Sequence, residues 1–223
     1  MNGTTKSRTT LAYTMLVAVA LASTACASLG NKEKGAVIGA AGGAVVGGVI
    51  GNQTGSTARG AIIGAVVGGT AGAVIGHQMD QQAKELKLDI PGAIVERVGE
   101  GIQVTFASGL LYDFDSDAIR AESATNLTNL ATSLKKYPNT TLLIVGHTDA
   151  LGSTVYNQDL STRRANSAST YLTTQGVVGG RVHTSGRGEL ESLASNETEA
   201  GRQKNRRIEV AIFNGPLSRT AGQ

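Results

Sequence analysis

One stretch of the chain, residues 141–172, constrains the fold most, because a polar loop in it joins a buried strand to a long helix. The apolar run Leu142 to Val145 has the length of a buried strand. The tripeptide His-Thr-Asp at 147–149 follows the strand, and a Gly-Ser turn at 152–153 leads into a helical pattern. The sequence therefore predicts a strand, a loop carrying Asp149, and a helix packed back against the strand.

The helical pattern places one of two adjacent arginines on the buried side. On a wheel of about 100° per residue, Arg164 lies about 40° from Leu160, inside the apolar stripe, whereas Arg163 lies about 60° to the other side and outside the stripe. An unpaired buried charge costs several kcal/mol, so an inward-facing arginine needs an anion. Asp149 is the nearby candidate, and the sequence predicts that the two could meet across a cleft.

Several residues of this stretch, together with a later arginine pair, carry a family pattern. They are Gly146 to Asp149, Gly152, Asn157, Leu160, Ser161, Arg164, Ala165 and Asn205 to Arg207. The pattern resembles the OmpA C-terminal-like domain, the peptidoglycan-binding module shared by Pal, MotB and many outer-membrane proteins. The resemblance covers about Gly101 to Phe213. With its glycine-rich segment, the whole chain is similar to the YiaD-type lipoproteins.

The element order agrees with the fold that this resemblance implies. Strands are predicted at 90–98, 102–106, 142–145, 181–187 and 206–213, with helices at 127–137 and after Ser153, and a polar loop at 188–204. The last strand alternates, with Ile208, Val210 and Ile212 on one face. The predicted fold class is α+β, an OmpA-like βαβαββ domain whose mixed sheet is covered by two helices, preceded by a glycine-zipper helical hairpin.

The resemblance implies a site for the free end of meso-diaminopimelate, gripped by Asp149 and Arg164. An ammonium group needs a carboxylate, and a carboxylate suits the planar guanidinium fork. The remaining predicted ligand-binding residues are Thr148, Asn157, Asp113, Asp115, Arg206 and Arg207.

Several roles in this predicted site stay open at the level of sequence. Asn157 is either a ligand or a support for the loop. Asp113 and Asp115 either line the cleft or cap the following helix. One of the adjacent residues Arg206 and Arg207 reaches the cleft and the other is solvated.

The N-terminus reads as an export signal. Residues 1–25 combine a positive start with an apolar run too short for a typical spanning helix, and small residues lead to Cys26, the only cysteine. This resembles a bacterial lipobox, so Cys26 is the predicted site of acylation with palmitate; ordinary cleavage after Ala27 is the alternative. The predicted location is the outer membrane, lipid-anchored with the C-terminal domain in the periplasm, with the inner membrane as the alternative.

Two charge-free segments, 35–51 and 60–76, form an internal repeat with a period of 25 residues and glycine at every fourth position. Such spacing allows close helix approach in lipid, and 17 residues span about 26 Å, the lower limit for a bilayer. We expect a membrane-inserted or self-associating hairpin of transmembrane helices at 35–76. An apolar tether on the membrane surface is the alternative.

The remaining boundaries follow from composition. Residues 26–34 are predicted to be an acylated linker, 77–89 a linking helix, 90–213 the peptidoglycan-binding domain and 214–223 a flexible tail.

Composition excludes several functions. Without the expected signal the chain has 18 basic and 17 acidic groups, and its three Phe provide few stacking platforms, so nucleic acid is not an expected partner. His147 and Asp149 have no evident third metal ligand, and no nucleophile motif is present, so no cofactor and no enzyme activity are expected. Two hypotheses remain: a lipoprotein that tethers a membrane to peptidoglycan, and a glycine-zipper assembly factor whose wall binding is secondary.

Overall fold

The computed structural model describes residues 56–65 and 72–214. The predicted signal, Cys26, the first glycine segment and nearly all of the predicted tail lie outside the described residues.

The described chain forms six helices and five strands. In order they are α1 (Thr57–Ala65), α2 (Gly72–Asp89), β1 (Ile94–Val98), β2 (Gly101–Ala107), α3 (Ser108–Leu111), α4 (Ala124–Lys136), β3 (Thr140–Gly146), α5 (Thr154–Thr174), β4 (Val182–Gly186), α6 (Glu199–Asn205) and β5 (Arg207–Asn214). Short 3-10 turns precede α4 and β4.

The strands form one mixed sheet in the order β1-β2-β5-β3-β4. Only β3 and β4 are parallel, and the long helix α5 connects them, as a parallel pair requires a crossover. The last strand, β5, lies in the centre between β2 and β3 and is antiparallel to both. This arrangement confirms the predicted α+β class and places the carboxyl end of β3 beside the amino end of β5.

The main core lies on one face of the sheet. Helices α4 and α5 cover this face as predicted, and α2 joins them with Met79, Ala83 and Leu86 buried. The alternation of β5 is confirmed, since Ile208, Val210 and Ile212 all belong to this core. Close packing at the end of β3 requires glycine, because a Cβ on Gly146 would collide with the carbonyl oxygen of Ser161 in α5.

The second face of the sheet is also covered, which was not expected. Helix α1 places Ala58, Ala61 and Ile62 against a smaller core of sheet residues, namely Leu143, Val145, Ala211 and Phe213. The described part of the predicted hairpin thus packs on the domain: residues 57–63, which include the start of the second glycine segment at Gly60, lie against this smaller core, and helix α2 starts within that segment. Apolar residues at helical spacing suit lipid and a protein core equally well, so their pattern does not distinguish the two.

Two local predictions were wrong. The first strand begins at Ile94 and not at residue 90, because Ile90 donates its N–H to Leu86 in the last turn of α2 and is buried in the main core. The segment 188–204 is not all loop, because Thr198 caps a short helix, α6, by accepting from the N–H of Gly201.

In the part of the chain that the structure describes, no helix is both long and apolar enough to cross a bilayer.

Candidate functional site

Asp149 lies just beyond the carboxyl end of β3, with its side chain 9% exposed. Its two carboxylate oxygens have different partners. Oδ1 accepts the N–H of Leu151 at 3.0 Å, which fixes the loop, and Oδ2 accepts Nη1 of Arg206 at 2.5 Å. A carboxylate has about four lone-pair positions, so both oxygens of Asp149 retain the capacity to accept a further donor.

Arg206 stands between two carboxylates. Its other terminal nitrogen, Nη2, donates to Oε1 of Glu199 at 2.5 Å, and its side chain is 29% exposed. Burial alone would lower the pKa of Arg206, but the hydrogen bonds to Glu199 and Asp149 outweigh it and raise the pKa above its ordinary value. Arg206 is therefore the member of the arginine pair that lies beside Asp149.

Arg164 is buried, as the helix wheel predicted, and is 4% exposed. Its Nε donates to the carbonyl oxygen of Ser116 at 2.8 Å, and Nη2 makes a longer bond of 3.4 Å to the carbonyl oxygen of Asp113. The guanidinium carbon lies 5.3 Å from the centre of the Tyr112 ring, and the Tyr112 hydroxyl donates to the Arg164 carbonyl at 2.6 Å. Backbone and ring contacts thus hold Arg164 in one orientation.

The charge of Arg164 is not neutralised by a direct ion pair. Among the described residues, no carboxylate oxygen lies within 4.0 Å of its guanidinium nitrogens. Burial lowers the pKa of Arg164 from its ordinary value, while Tyr112, Asp115 and Asp117 act in the opposite direction from a distance. The guanidinium is therefore a buried cation whose nearest bonded partners are neutral carbonyl groups.

The predicted pairing of Asp149 with Arg164 was wrong. Asp149 pairs with Arg206, which comes 57 residues later in the chain. The antiparallel pairing of β3 with β5 explains the difference, since it brings the start of β5 to the end of β3, where Asp149 lies. Asp149 and Arg164 each have a separate set of partners, and no hydrogen bond or ion pair joins their side chains.

Thr148, which directly precedes Asp149 in the chain, is buried. Asn157, in the first turn of α5, is buried as well. The amide Nδ2 of Asn157 donates to Oε2 of Glu189 at 2.6 Å, and the hydroxyl of Thr154 donates to the other oxygen of Glu189 at 2.9 Å. Asn157 is 2% exposed, so the structure favours its role as a support for the loop. The hydroxyl of Thr148 is buried and has no hydrogen-bond partner among the described residues.

The two acidic residues between α3 and α4, Asp113 and Asp115, lie in the segment that covers Arg164. The Asp113 carboxylate is 76% exposed and lies 3.6 Å from Nε of Arg120, while Asp115 has a left-handed backbone with φ of 57°. Neither residue caps α4, whose N-cap is Ser123. The helix-cap alternative is thus excluded.

Arg207 is not solvated, which corrects the prediction for the second member of the arginine pair. It is 1% exposed, lies on the second face of the sheet, and donates from Nε to Oε1 of Glu209 at 2.7 Å. Alternation along β5 was predicted correctly, but the face opposite the main core was assumed to meet water. Helix α1 covers it instead, and Ser56 donates its hydroxyl to Oε2 of Glu209 at 2.6 Å.

His147 belongs to the same buried cluster and is 0% exposed. Its ring nitrogens lie 3.9 Å from Glu191 and 3.8 Å from Glu209, and neither has a hydrogen-bond partner among the described residues. Burial, followed by the positive charges of Arg207 and Arg187, holds the pKa of His147 well below its ordinary value of 6.5. His147 is therefore neutral in the folded protein at neutral pH.

We expect His147 to make the protein less stable as the pH falls below 6.5. The unfolded chain takes up the imidazole proton at the ordinary pKa, whereas the folded chain does not, so the free energy of unfolding falls by at most about 1.4 kcal/mol per pH unit in this window. Urea unfolding at a series of pH values between 7 and 5 measures the slope. His147→Gln should flatten it, and an unchanged slope in that variant would contradict the assignment.

Three contributors to the site were not predicted. They are Tyr112, whose ring faces Arg164, Glu199, which holds Arg206, and Glu189, which holds Asn157. Tyr112 directly precedes Asp113, so its position was a usable signal. The two glutamates lie in the polar segment 188–204 and carry no comparable signal. The described residues contain no group of three or more His, Cys, Asp and Glu able to hold a metal.

Together, the fold and these contacts define an α+β domain that fixes the Asp149 carboxylate in the loop between β3 and α5 and the buried Arg164 guanidinium against the segment 112–116. Residues 111–206 match the OmpA family, and residues 6–80 match the YMGG-like Gly-zipper family. The chain therefore has a region that matches the OmpA family, preceded by a region that matches the glycine-zipper family.

Two curated relatives illustrate the similarity. The chain is 36% identical over 136 residues to the probable lipoprotein YiaD of Escherichia coli, covering 60% of this chain and 62% of the relative. It is 41% identical over 86 residues to the peptidoglycan-binding protein ArfA of Mycobacterium tuberculosis, covering 39% of this chain and 26% of the relative. The matched part thus spans less than two thirds of either relative.

Two solved structures share the fold. A putative MotB-like protein from Desulfovibrio vulgaris matches with a TM-score of 0.56 at 18% identity, covering 64% of this chain and 93% of the other, and supports the fold alone. The cell wall anchor of the T6SS from Pseudomonas aeruginosa matches with a TM-score of 0.53 at 28% identity, covering 61% of this chain and 96% of the other.

Proposed function

We propose that this protein binds peptidoglycan non-covalently, without turnover, by holding the free zwitterionic end of meso-diaminopimelate in the peptide stem. The observation that carries the proposal is Arg164, a buried guanidinium with no carboxylate within 4.0 Å among the described residues. Leaving such a charge uncompensated is costly, so a ligand carboxylate would supply the missing partner. Each charge-assisted hydrogen bond contributes about 1.5–3 kcal/mol.

The second half of the ligand is a cation, for which Asp149 is the proposed partner. Arg206 and the loop N–H hold this carboxylate in place, yet both oxygens can accept another donor. Arg206 in turn is shared with Glu199, so its positive charge is partly neutralised before a ligand arrives. The proposed ligand ammonium would add to this network. In this scheme Thr148, Asn157, Asp113 and Asp115 shape the cleft, and Arg206 positions Asp149.

The similar proteins support the same assignment. One relative is described as peptidoglycan-binding, and one structural neighbour is described as a cell wall anchor. The other relative is a probable lipoprotein. We therefore extend the proposal to an envelope location, with Cys26 acylated and the domain tethered to a membrane. Labelled palmitate should enter the wild-type chain and not a Cys26→Ser variant; equal labelling would refute this part.

Co-sedimentation with purified sacculi tests the proposed ligand. We expect the protein to bind sacculi whose stem carries meso-diaminopimelate at least about thirtyfold more tightly than sacculi with lysine at that position, because lysine lacks the carboxylate that Arg164 would bind. Free meso-diaminopimelate should compete, and lysine should not. Equal binding to both walls, without competition, would show that the domain recognises another part of peptidoglycan.

A further inference from the structure

A small cavity lies at the end of the sheet opposite to Asp149. It is bounded by helix α2, by the turn between α4 and β3, and by Asn214 at the end of β5. Its volume is about 70 Å³, several times the roughly 10–15 Å³ that one water molecule needs. Strand β3 has seven residues that rise about 3.3 Å each, so the cavity and Asp149 are on the order of 20 Å apart. The cavity is therefore separate from the loop that carries Asp149.

Two side-chain amides that line the cavity have an unpartnered atom each. Gln82 of α2 is 0% exposed, and its Nε2 donates to the hydroxyl of Ser133 at 3.2 Å. Its Oε1 is buried and has no hydrogen-bond partner among the described residues. Nδ2 of Asn214 is buried too, and no described residue accepts its hydrogens. The cavity thus presents one acceptor and one donor that are not yet used.

The chemistry of these two groups indicates a ligand that is itself an amide. A buried polar group without a partner is costly, so a ligand gains affinity by giving a donor to Gln82 and an acceptor to Asn214. A secondary amide supplies both from one group. It also pairs with a side-chain amide in either of the two orientations of that side chain.

The wall of the cavity is held in place by Arg181. Its Nε donates to the carbonyl oxygen of Thr140 at 2.6 Å, and its Nη2 donates to the carbonyl oxygen of Tyr137 at 2.9 Å. The hydroxyl of Thr140 closes the same turn by donating to the Tyr137 carbonyl at 3.0 Å. Because these bonds fix the turn before a ligand arrives, less conformational freedom is lost on binding.

The lining of the cavity favours a neutral ligand with a small apolar end. Its one charged residue, Lys136, already donates to Oε1 of Glu85 at 2.5 Å. Met79, which is 1% exposed, and Pro138 offer apolar contact to a methyl group. An amide that carries a methyl group is an acetamido group, and its few non-hydrogen atoms suit the size of the cavity.

The mouth of the cavity suits a sugar ring. Gln78 and Asn139 are exposed there, and their amides can donate to and accept from hydroxyl groups. The half-buried ring of Tyr137 adds an apolar surface with a polar tip. Neutral amides and an aromatic ring match the hydroxyl groups and the C–H groups of a sugar.

We propose that this cavity is a second ligand site, which takes the acetamido group of an N-acetylated amino sugar. Gln82 accepts the amide N–H of the sugar, and Asn214 donates to its carbonyl oxygen. The proposal rests on the proposed wall binding for the source of the sugar, since the glycan strands of peptidoglycan consist of N-acetylated amino sugars. It uses neither Asp149 nor Arg164.

Saturation-transfer NMR with N-acetylglucosamine tests the site, with the full chain in a detergent that has no sugar group. We expect a dissociation constant on the order of 1 mM, with the strongest transfer to the acetamido methyl group. Glucose, which has a hydroxyl in place of the acetamido group, should show no transfer. Gln82→Met should weaken binding at least about tenfold, because it removes the acceptor. Gln81→Met, which changes the exposed neighbour in α2, should bind like the wild type.

Asn214→Ala, at the edge of the sheet, keeps the test valid if Gln82→Met does not fold, and should show the same loss. The proposal is overturned if N-acetylglucosamine does not bind, which would leave a cavity for water only, or if glucose binds equally well. It is also overturned if either variant folds and binds like the wild type, or if N-acetylalanine methylamide binds more tightly than the sugar.

The stem-peptide site is tested separately by excess meso-diaminopimelate, which should not displace N-acetylglucosamine. Displacement would place the sugar at the cleft of Asp149 and overturn the second site. If meso-diaminopimelate fails to compete for sacculi while the sugar still binds at Gln82, only the stem-peptide assignment is refuted.

Discussion

Arg164→Ala should abolish sacculus binding, with a loss of roughly thirty- to several-thousand-fold in affinity, corresponding to about 2–5 kcal/mol. The guanidinium is 4% exposed and is oriented by two carbonyl groups and the Tyr112 ring, so a ligand carboxylate would meet a cation that is already in place. Arg164→Lys should also fail, because an ammonium presents no planar pair of donors.

The neighbouring arginine supplies a matched control. Arg163 is 43% exposed and pairs with Asp159 one turn earlier in α5. A surface pair of this kind contributes under about 1 kcal/mol, so Arg163→Ala should bind like the wild type. Asp149→Ala should lose binding together with Arg164→Ala, while all three variants still unfold cooperatively. If both arginine variants bind sacculi equally well, Arg164 does not contact the ligand.

The second large effect concerns Arg207 and stability. Arg207→Ala should lower the free energy of unfolding by about 3–5 kcal/mol, because it leaves the carboxylate of Glu209 buried without its cation. The pair is 2.7 Å apart with both side chains at most 2% exposed. Urea unfolding measures the change as a shift of the midpoint at constant slope.

Two further variants distinguish the contribution of the buried pair to stability from the contribution of the site to sacculus binding. Arg206→Ala should cost less stability than Arg207→Ala, since Arg206 is 29% exposed and Asp149 keeps the N–H of Leu151, and should weaken sacculus binding by releasing Asp149. Arg207→Met combined with Glu209→Leu should recover much of the stability lost in Arg207→Ala, because no charge stays buried. If Arg207→Ala unfolds at the wild-type midpoint, the pair of Arg207 and Glu209 does not stabilise the fold.

The periodicity of the sequence was sufficient to predict on which face of a single helix or strand a residue lies. The wheel placed Arg164 inside and Arg163 outside, and alternation placed Arg207 on the face of β5 opposite Ile208, because both follow from backbone geometry. The resemblance predicted the fold and the loop that carries Asp149.

Contacts between distant elements could not be predicted from the same patterns. The pairing of Asp149 with Arg206 depends on β5 entering the centre of the sheet, and the burial of Arg207 depends on α1 covering the second face. The sequence of α1 did not indicate that this helix packs on the sheet, because glycine, alanine and isoleucine at helical spacing suit contact with lipid and contact with a protein surface alike.

The position of Ser56 has a mechanical consequence. Ser56 is bonded to Glu209, which lies opposite the residue before the last of β3, near the loop that carries Asp149. The next residue, Thr57, is bonded to Glu191. The same segment holds Asn157 through Glu189. If tension acts between an anchor ahead of Ser56 and a ligand held at Asp149, it enters and leaves the domain at the same end of the sheet. The line of force then bypasses the main core, and the bonds of α1 would yield before the sheet does.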